Sequence, residues 1–213
     1  MIVTIDGPAG SGKSTAARGL AARLGFDYLD TGAMFRAVGL ALRDADADVD
    51  AVLAGLHLEM PPGRVLLDGR DVTADIRTPA AAQAASRVAV VPAVRRFLAA
   101  EQRRIAVGRD IVCEGRDQGT AVFPDAACKF YLTADPRARA ERRHRELRAK
   151  GEAVELSDVL AQQAERDARD ANRADAPMKP AADAVLVDTT GLTADAVVAR
   201  LEEVVRRCAT VRR

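Results

Sequence analysis

Short apolar runs alternate with segments of helical periodicity along most of the chain. The first run, residues 2–5, is rich in β-branched residues and ends at a polar turn. Four later runs have a similar strand-like composition and lie at residues 26–29, 111–113, 129–132 and 184–187. The segment after the first run carries apolar residues at the spacing of one helix face, at Ala17, Leu20, Ala21 and Leu24. Strands that alternate with helices predict an α/β fold in which helices cover both faces of a parallel sheet.

Two stretches depart from this alternation. Residues 64–73 form two short runs around Asp68-Gly69, and an Asp-Gly pair strongly favours a tight hairpin turn. Proline-containing segments on both sides mark the edges of an antiparallel insert. Residues 137–173 are highly charged and almost continuously helical in composition, with a flexible point predicted at Lys150-Gly151.

The net charge of the chain indicates which kinds of molecule it can bind over a large surface. The 213 residues include 32 basic and 31 acidic side chains, which gives a formal net charge of +1. Proteins that bind nucleic acid or membranes over a whole surface depend on a sustained field of one sign. Aromatic residues make up only 3% of the chain, too few for the stacking platforms that hold single strands. We therefore expect neither a nucleic-acid nor a membrane partner, and an anionic ligand must be bound locally.

The cysteines and the N-terminus indicate the compartment. Cys113, Cys128 and Cys208 are odd in number and far apart, so their spacing predicts neither a disulfide framework nor a zinc site. The chain starts without a basic region and a signal-length apolar run. It also lacks a stretch near the roughly 18 apolar residues that a membrane span needs. We expect a cytoplasmic protein.

The strongest chemical signal follows the first predicted strand. Residues 7–14 match the pattern G-x-x-x-x-G-K-[ST] between a predicted strand and a predicted helix. Glycines let successive backbone N–H groups converge on an anion, and the helix N-terminus adds partial positive charge. Lys13 would reach the β- and γ-phosphates of a nucleotide, and the Ser14 hydroxyl would ligate Mg²⁺. The expected ATP-binding loop comprises Gly7, Pro8, Ala9, Gly10, Ser11, Gly12, Lys13, Ser14 and Thr15.

A nucleotide site of this kind serves several classes of protein. Residues 188–191 have the D-x-x-G form of a GTPase switch, but the chain has no N-K-x-D sequence for reading guanine. We interpret them as the turn before the final helix. A strand that ends in an acidic pair, as in ATPase motors, is also missing. A small P-loop protein with an antiparallel insert and an arginine-rich helical segment favours a phosphotransferase that acts on a small acceptor.

Five stretches together carry a more specific resemblance. They are IDGPAGSGKST, YLDTGAMFR, DGRDVTADIRT, CEGRDQGTAVFPDA and ERDARDANRADAP, in this order along nearly the whole chain. In them the sequence resembles the bacterial cytidylate kinase family. The resemblance implies a single domain, 1–213, with a three-layer α/β P-loop kinase fold and a five-stranded parallel sheet. It further implies an antiparallel substrate-binding insert at about 48–87 and a short helical lid at about 139–155.

The resemblance also assigns roles to individual residues. It implies that the acceptor phosphate is bound by Arg36, Arg116 and Arg173, with Thr31 nearby. It places the cytosine base on Ser86, Arg95 and Asp117, and the sugar on Arg166 and Asp170. The reaction would be catalysed by charge neutralisation from Lys13, Mg²⁺, Arg116 and Arg173, with Arg139 and Arg143 as candidate lid arginines. Glu114 lies where a carboxylate could orient Mg²⁺-bound water, and a purely structural role stays open.

The residue types agree with the chemistry of cytosine. Its exocyclic amino group needs an acceptor such as the Asp117 carboxylate, whereas its carbonyl oxygen and ring nitrogen need donors such as Arg95 and Ser86. Uracil would set a carbonyl oxygen against Asp117. No general base is required, because the attacking phosphate oxygen has a second pKa of about 6 and is largely ionised at neutral pH.

The chain departs from the family pattern at two positions, since Thr31 and Phe35 stand where Ser and Tyr are common. Thr31 keeps a hydroxyl, and Phe35 does not. Two other hypotheses stay open: a P-loop kinase for a different monophosphate or a hydroxyl acceptor, and an ATP-binding regulatory module without turnover. The expected partners are ATP and CMP or dCMP, and we expect a monomer.

Overall fold

The computed structural model describes residues 1–43, 48–149 and 151–211. The strands are β1 (Ile2–Asp6), β2 (Asp27–Asp30), β3 (Leu58–Glu59), β4 (Leu66–Leu67), β5 (Arg70–Asp71), β6 (Ile111–Glu114), β7 (Cys128–Thr133) and β8 (Val185–Asp188). The α-helices are α1 (Lys13–Leu24), α2 (Thr31–Ala41), α3 (Val49–Gly55), α4 (Pro79–Val88), α5 (Pro92–Ala106), α6 (Pro136–Ala149), α7 (Leu156–Ala171) and α8 (Ala194–Val211). They belong to two compact units, residues 1–28 with 108–213 and residues 29–107.

A five-stranded sheet has the strand order β2-β6-β1-β7-β8, and β2 spans the boundary between the two units. β1 pairs in parallel with β6 and with β7, and β7 pairs in parallel with β8. Val3 and Ile5 of the central strand are fully buried. They share one apolar cluster with Leu20 of α1 and Leu201 of α8. The predicted parallel sheet is confirmed, and its central strand leads directly to residue 7.

The connection that leaves β1 requires glycine at its first position. Gly7 has a φ of +140°, a conformation that residues with a side chain rarely adopt. A β-carbon at Gly7 would lie 2.0 Å from the carbonyl oxygen of Leu132 in β7. The loop after β1 therefore starts in direct backbone contact with the neighbouring strand.

The second unit contains the predicted hairpin and a close helix pair. β3, β4 and β5 form a small antiparallel sheet, in which Asp68 and Gly69 make the turn with φ values of 51° and 79°. The hairpin is confirmed, and β3 extends it to three strands. A β-carbon at Gly39 of α2 would lie 3.0 Å from the backbone of α4, so these helices approach closely. The predicted insert, 48–87, lies within this unit, which begins earlier and ends later in the chain.

The predicted helical stretch 137–173 contains two helices, and the break between them includes the predicted flexible point. α6 ends at Ala149 and α7 begins at Leu156. Of the predicted flexible point, Lys150 lies outside the described residues, and Gly151 has a φ of +81°. Ala140 and Leu147 of α6 pack with Val159 of α7 in a small apolar cluster. Throughout the described part of the chain, no helix combines the length and the apolar character needed to cross a membrane.

A disulfide joins Cys128 of β7 to Cys208 of α8, which corrects the expectation drawn from cysteine spacing. The two residues are 80 positions apart in the sequence, and only the packing of α8 on the sheet brings them together. Cys113 in β6 is free and buried, and burial raises the pKa of its thiol to about 12.

Cys208→Ser should lower the free energy of unfolding in the absence of a reductant. The crosslink closes a long loop and restricts the unfolded chain, and for 80 residues the loop-entropy relation gives about 4.5 kcal/mol. Guanidinium titrations of both proteins, with and without dithiothreitol, measure the difference. The reductant should bring the wild type to the stability of the variant and leave the variant unchanged. Equal stabilities without reductant would contradict a stabilising crosslink.

Candidate active site

The loop between β1 and α1 is held in shape by hydrogen bonds between its own residues. Gly10 and Gly12 have positive φ values of 74° and 86°, as the glycine positions of the motif require. The Pro8 carbonyl oxygen accepts hydrogen bonds from Ser11 Oγ at 3.0 Å and from Lys13 Nζ at 2.6 Å. These bonds hold the Lys13 side chain against the loop at the start of α1.

Lys13 carries a buried positive charge among other cations. Its side chain is 5% exposed, and burial lowers its pKa well below the usual range, with the charges of Arg116 and Arg166 acting in the same direction. Glu114 and Asp6 oppose this shift. An anion bound beside Lys13 would relieve the repulsion and favour the charged lysine. The electrostatics of this point therefore suit phosphate groups.

The Ser14 hydroxyl lies beside a buried carboxylate at the end of β6. Ser14 Oγ donates to Glu114 Oε2 at 2.9 Å, and the Tyr28 hydroxyl donates to the other oxygen of the same carboxylate. A hydroxyl and a carboxylate are hard oxygen donors of the kind that Mg²⁺ uses together with nucleotide phosphates. Among the residues that the structure describes, no group of three or more His, Cys, Asp or Glu could hold a metal ion alone.

Asp170 of α7 contacts two of the arginines that are predicted to bind phosphate. Arg116 Nε donates to Asp170 Oδ2 at 3.0 Å, and Arg173 Nη1 lies 3.9 Å from Asp170 Oδ1. Arg173 also donates to the Ala176 carbonyl oxygen at 2.8 Å. Asp170 is buried, so its negative charge counters the repulsion between the two guanidinium groups at short range.

Asp117 lies between Arg116 and a π-helical turn over Gln118–Val122. Its side chain is buried. The next two backbone N–H groups, of Gln118 and Gly119, donate to the carboxylate of Asp6 at 2.9 and 2.8 Å. Burial raises the pKa of Asp6 to about 6.

An ion pair between Arg139 of α6 and Asp167 of α7 binds the P-loop backbone at Ala9. Arg139 Nη1 donates to the Ala9 carbonyl oxygen at 2.8 Å and to the Asp167 carboxylate. Asp167 in turn accepts the Ala9 N–H at 3.2 Å. Arg139 is therefore a buried contact of the loop backbone in this structure. The other candidate lid arginine, Arg143, pairs with Glu146 on the exposed side of α6.

The turn before α8 contacts the P-loop as well. Thr189 Oγ1 lies 3.1 Å from the carbonyl oxygens of both Ser11 and Thr133. Arg142 Nη1 donates to the same hydroxyl at 3.0 Å. Asp188 is the last residue of β8, and residues 189–191 form the predicted turn before α8. Through Thr189 this turn also links the P-loop to the end of β7.

Four of the predicted acceptor-binding residues lie in the second unit. Thr31 and Arg36 are on α2, Ser86 is on α4 and Arg95 is on α5. Arg36 Nη2 donates to Asp30 Oδ2 at 3.1 Å, and the buried Arg95 donates to the Ala89 carbonyl oxygen at 3.3 Å. α2 packs on both α4 and α5, so this unit brings the three helices together. The P-loop, Arg116, Asp117, Arg166, Asp170 and Arg173 all belong to the first unit.

Three residues with contacts at the P-loop or beside Asp117 were not predicted as site residues. Asp6 is visible in the sequence only as a charged residue at the end of a buried strand. Asp167 belongs to a run of helical Arg and Asp residues in which several positions look alike, and Thr189 belongs to a polar turn. Their contacts depend on which strands and helices become neighbours, and local composition does not carry that information.

Comparison with known proteins agrees with the motifs. The family model for cytidylate kinase matches residues 3–207. A cytidylate kinase of Rhodopirellula baltica is 46% identical over 215 residues, covering 98% of this chain and 93% of the relative. A cytidylate kinase of Burkholderia multivorans is 48% identical over 203 residues, covering 92% of this chain and 89% of the relative.

Solved structures with low sequence identity share the fold. Shikimate kinase from Bacteroides thetaiotaomicron matches with a TM-score of 0.51 at 10% identity, covering 97% of this chain and 98% of that one. The predicted P-loop kinase fold is thereby confirmed. The match to the family model over almost the whole length, with relatives nearly half identical, shows that the chain belongs to the cytidylate kinase family.

Proposed function

We propose that this protein transfers the γ-phosphoryl group of ATP to CMP or dCMP, giving ADP and CDP or dCDP. The observation that carries the proposal is the crowding of positive charge beside the P-loop, where Arg116 and Arg166 add to the effect of burial in lowering the pKa of Lys13. Crowded cations of this kind favour bound anions, and a nucleotide kinase brings two phosphate-bearing ligands to one point. Membership of the cytidylate kinase family favours a cytidine nucleotide as the acceptor.

ATP is proposed to bind through residues 7–15. The backbone N–H groups of the glycine-rich turn and the N-terminus of α1 would face its phosphates, and Lys13 would contact the β- and γ-phosphates. Ser14 and Glu114, whose oxygen atoms lie 2.9 Å apart, would hold Mg²⁺. When bound, Mg²⁺ would neutralise charge that develops on the phosphates.

The acceptor phosphate is proposed to bind Arg36, Arg116 and Arg173, with Thr31 nearby, and the sugar to bind Arg166 and Asp170. The contacts of Asp170 with Arg116 and Arg173 support this assignment. Two guanidinium groups that are held together before the ligand arrives lose less conformational freedom on binding.

Base selectivity is proposed to depend on Asp117, with Arg95 and Ser86 as donors. The Asp117 carboxylate would accept from the exocyclic amino group of cytosine, whereas uracil presents a carbonyl oxygen at the same edge. Asp117 is buried, so water would compensate poorly for such a mismatch. A buried unpaired polar group costs about 1 to 3 kcal/mol, enough for useful discrimination.

Catalysis is proposed to consist of positioning and charge neutralisation. An oxygen of the acceptor phosphate attacks the γ-phosphorus of ATP, and the bond from that phosphorus to the leaving ADP oxygen breaks. The attacking oxygen is largely ionised at neutral pH, so no side chain has to remove a proton. Lys13, Arg116 and Arg173 would stabilise the charge of the transition state.

We further propose that the enzyme is a cytoplasmic monomer that acts on free nucleotides, with no nucleic-acid or membrane partner. The near-zero net charge supports the absence of a nucleic-acid or membrane partner, since extended binding to nucleic acid or anionic lipid needs a field of one sign.

A coupled assay for ADP release tests the proposed acceptor against its alternatives. The panel contains CMP, dCMP, UMP, AMP, GMP and shikimate, each with ATP and Mg²⁺. Activity confined to CMP and dCMP supports the proposal. Preference for another acceptor indicates a different small-molecule kinase, and tight ATP binding without turnover indicates a regulatory module.

Asp117→Ala should raise the KM for CMP and lower the ratio of kcat/KM for CMP to that for UMP by about 10-fold or more, since one buried acceptor is lost. The KM for ATP should change little, because Asp117 is not proposed to touch the donor. Steady-state kinetics with both acceptors measure the effect, and Asp195→Ala, which removes an exposed carboxylate, is the control. An unchanged CMP-to-UMP ratio would refute the proposed contact.

Lys13→Ala should lower kcat with every acceptor by about 100-fold or more, because it removes a cation aimed at the transferred group. Lys179→Ala, at an exposed lysine, serves as the matched control and should retain activity. Turnover numbers for the two variants at saturating ATP and CMP provide the comparison. Comparable turnover in both variants would be inconsistent with the proposed role of Lys13.

A further inference from the structure

Asp6, the last residue of β1, uses both carboxylate oxygens to bind one short segment of backbone. Oδ1 accepts the Gln118 N–H at 2.9 Å, and Oδ2 accepts the Gly119 N–H at 2.8 Å. The carboxylate is buried, with a relative exposure of 4%. The bonds connect residues more than 110 positions apart in the sequence.

A buried carboxylate at this position is energetically costly. Burial is the largest cause of its raised pKa, whereas the Gly119 and Gln118 N–H groups lower it. Within the described residues, Asp6 forms no ion pair with a lysine or arginine, and the charge of Lys13 has a smaller effect than the two backbone bonds. Two backbone donors therefore give the main compensation for taking this carboxylate out of water.

An uncharged side chain at this position does not offer the two acceptor oxygens that these bonds use. Asparagine offers one acceptor oxygen and would turn an amide NH₂ group toward the second N–H, and a hydrophobic residue offers no acceptor.

The backbone at Gly119 also lies tightly against the sheet, since a β-carbon there would be 3.0 Å from Thr4 Oγ1 and 3.2 Å from Lys129 Cδ.

A second bond to β1 lies on the other side of Arg116 and Asp117. The Gly115 N–H donates to the carbonyl oxygen of Ile5 at 3.0 Å. Consecutive residues of β1 thus bind the segment 115–119 at both ends. The two residues between these anchors are Arg116 and Asp117, and residue 7 of the P-loop follows Asp6 directly.

We propose that Asp6 is a positioning residue that fixes Arg116 and Asp117 relative to the P-loop by holding the Gln118 and Gly119 amides. The proposal rests on the proposed function for the roles of Arg116 and Asp117. Through these bonds, the strand that leads into the donor-binding loop also sets the place of the acceptor's phosphate and base contacts. Asp6 itself touches neither nucleotide.

The test compares Asp6→Asn with Thr4→Val. Thr4 is two residues earlier in β1, so its side chain points to the same face of the sheet. It is fully buried, and its hydroxyl has no hydrogen-bond partner among the residues described. Thr4→Val therefore alters a buried polar group beside Gly119 and leaves the two anchoring bonds intact.

Asp6→Asn should raise the KM for CMP and lower the CMP-to-UMP ratio of kcat/KM by about 10-fold, with a KM for ATP within about threefold of wild type. In the Asp117→Ala background, Asp6→Asn should leave the ratio unchanged within about twofold, because it acts through the residue already removed. Thr4→Val should retain the wild-type ratio. An unchanged ratio in Asp6→Asn, or full additivity with Asp117→Ala, would overturn the proposal.

Amide hydrogen exchange gives a readout that does not depend on the substrate. In Asp6→Asn the Gln118 and Gly119 amides should exchange at least about 10-fold faster, relative to amides in the centre of β6 and β7, and in Thr4→Val they should not. Retained protection in Asp6→Asn would refute the anchoring role. If Asp6→Asn does not fold, Asp6→Ser, which has one oxygen atom in place of the two carboxylate oxygens, is measured in the same way.

The two readouts separate this proposal from the proposed function. If the wild type prefers an acceptor other than CMP or dCMP, the proposed function fails. Faster exchange at Gln118 and Gly119 together with a raised KM for that acceptor would still support Asp6 as a positioning residue. Normal exchange would overturn it whichever acceptor is used.

Discussion

The positive charge that is held out of water at the start of α1 is the constraint on which the rest of the first unit depends. Lys13 is buried, and the charges of Arg116 and Arg166 oppose its protonation. A cation in such a place is unfavourable unless hydrogen bonds and opposite charges surround it. The Pro8 carbonyl oxygen accepts from Lys13 Nζ, and the Glu114 carboxylate favours its charged form. Bound phosphates would contribute the remaining negative charge.

The P-loop is held in shape by contacts to its backbone from several elements. The Leu132 carbonyl oxygen leaves no space for a side chain at Gly7. Thr189 lies within hydrogen-bond distance of the Ser11 carbonyl oxygen, and Arg139 and Asp167 bind the two polar groups of Ala9. A loop fixed in this way needs less ordering when a nucleotide binds. Its conformation therefore depends on side chains far from it in the sequence.

Several of these contacts bury charged groups in the interior of the protein. Each such contact contributes little to the free energy of unfolding. A buried ion pair gains little over an apolar pair of the same shape, although loss of one partner is strongly destabilising. The apolar cluster around Val3, Leu20 and Leu201 stabilises the sheet separately, and the Cys128–Cys208 disulfide links the same sheet to α8. Because the apolar cluster and the disulfide stabilise the sheet, the polar groups near the P-loop are available to position that loop.

The sequence by itself determined the alternation of strands and helices, the hairpin at Asp68-Gly69, the P-loop and the family. These features depend on residues that are close in the chain, because periodicity, turn chemistry and motifs are local properties. Tertiary structure alone decided three contacts. Asp6 accepts hydrogen bonds from the Gln118 and Gly119 amides, and Arg139 and Asp167 bind the backbone of Ala9. Cys128 forms a disulfide with Cys208. Each of these pairs joins strands or helices that become neighbours only through the order of strands in the sheet and the packing of helices on it.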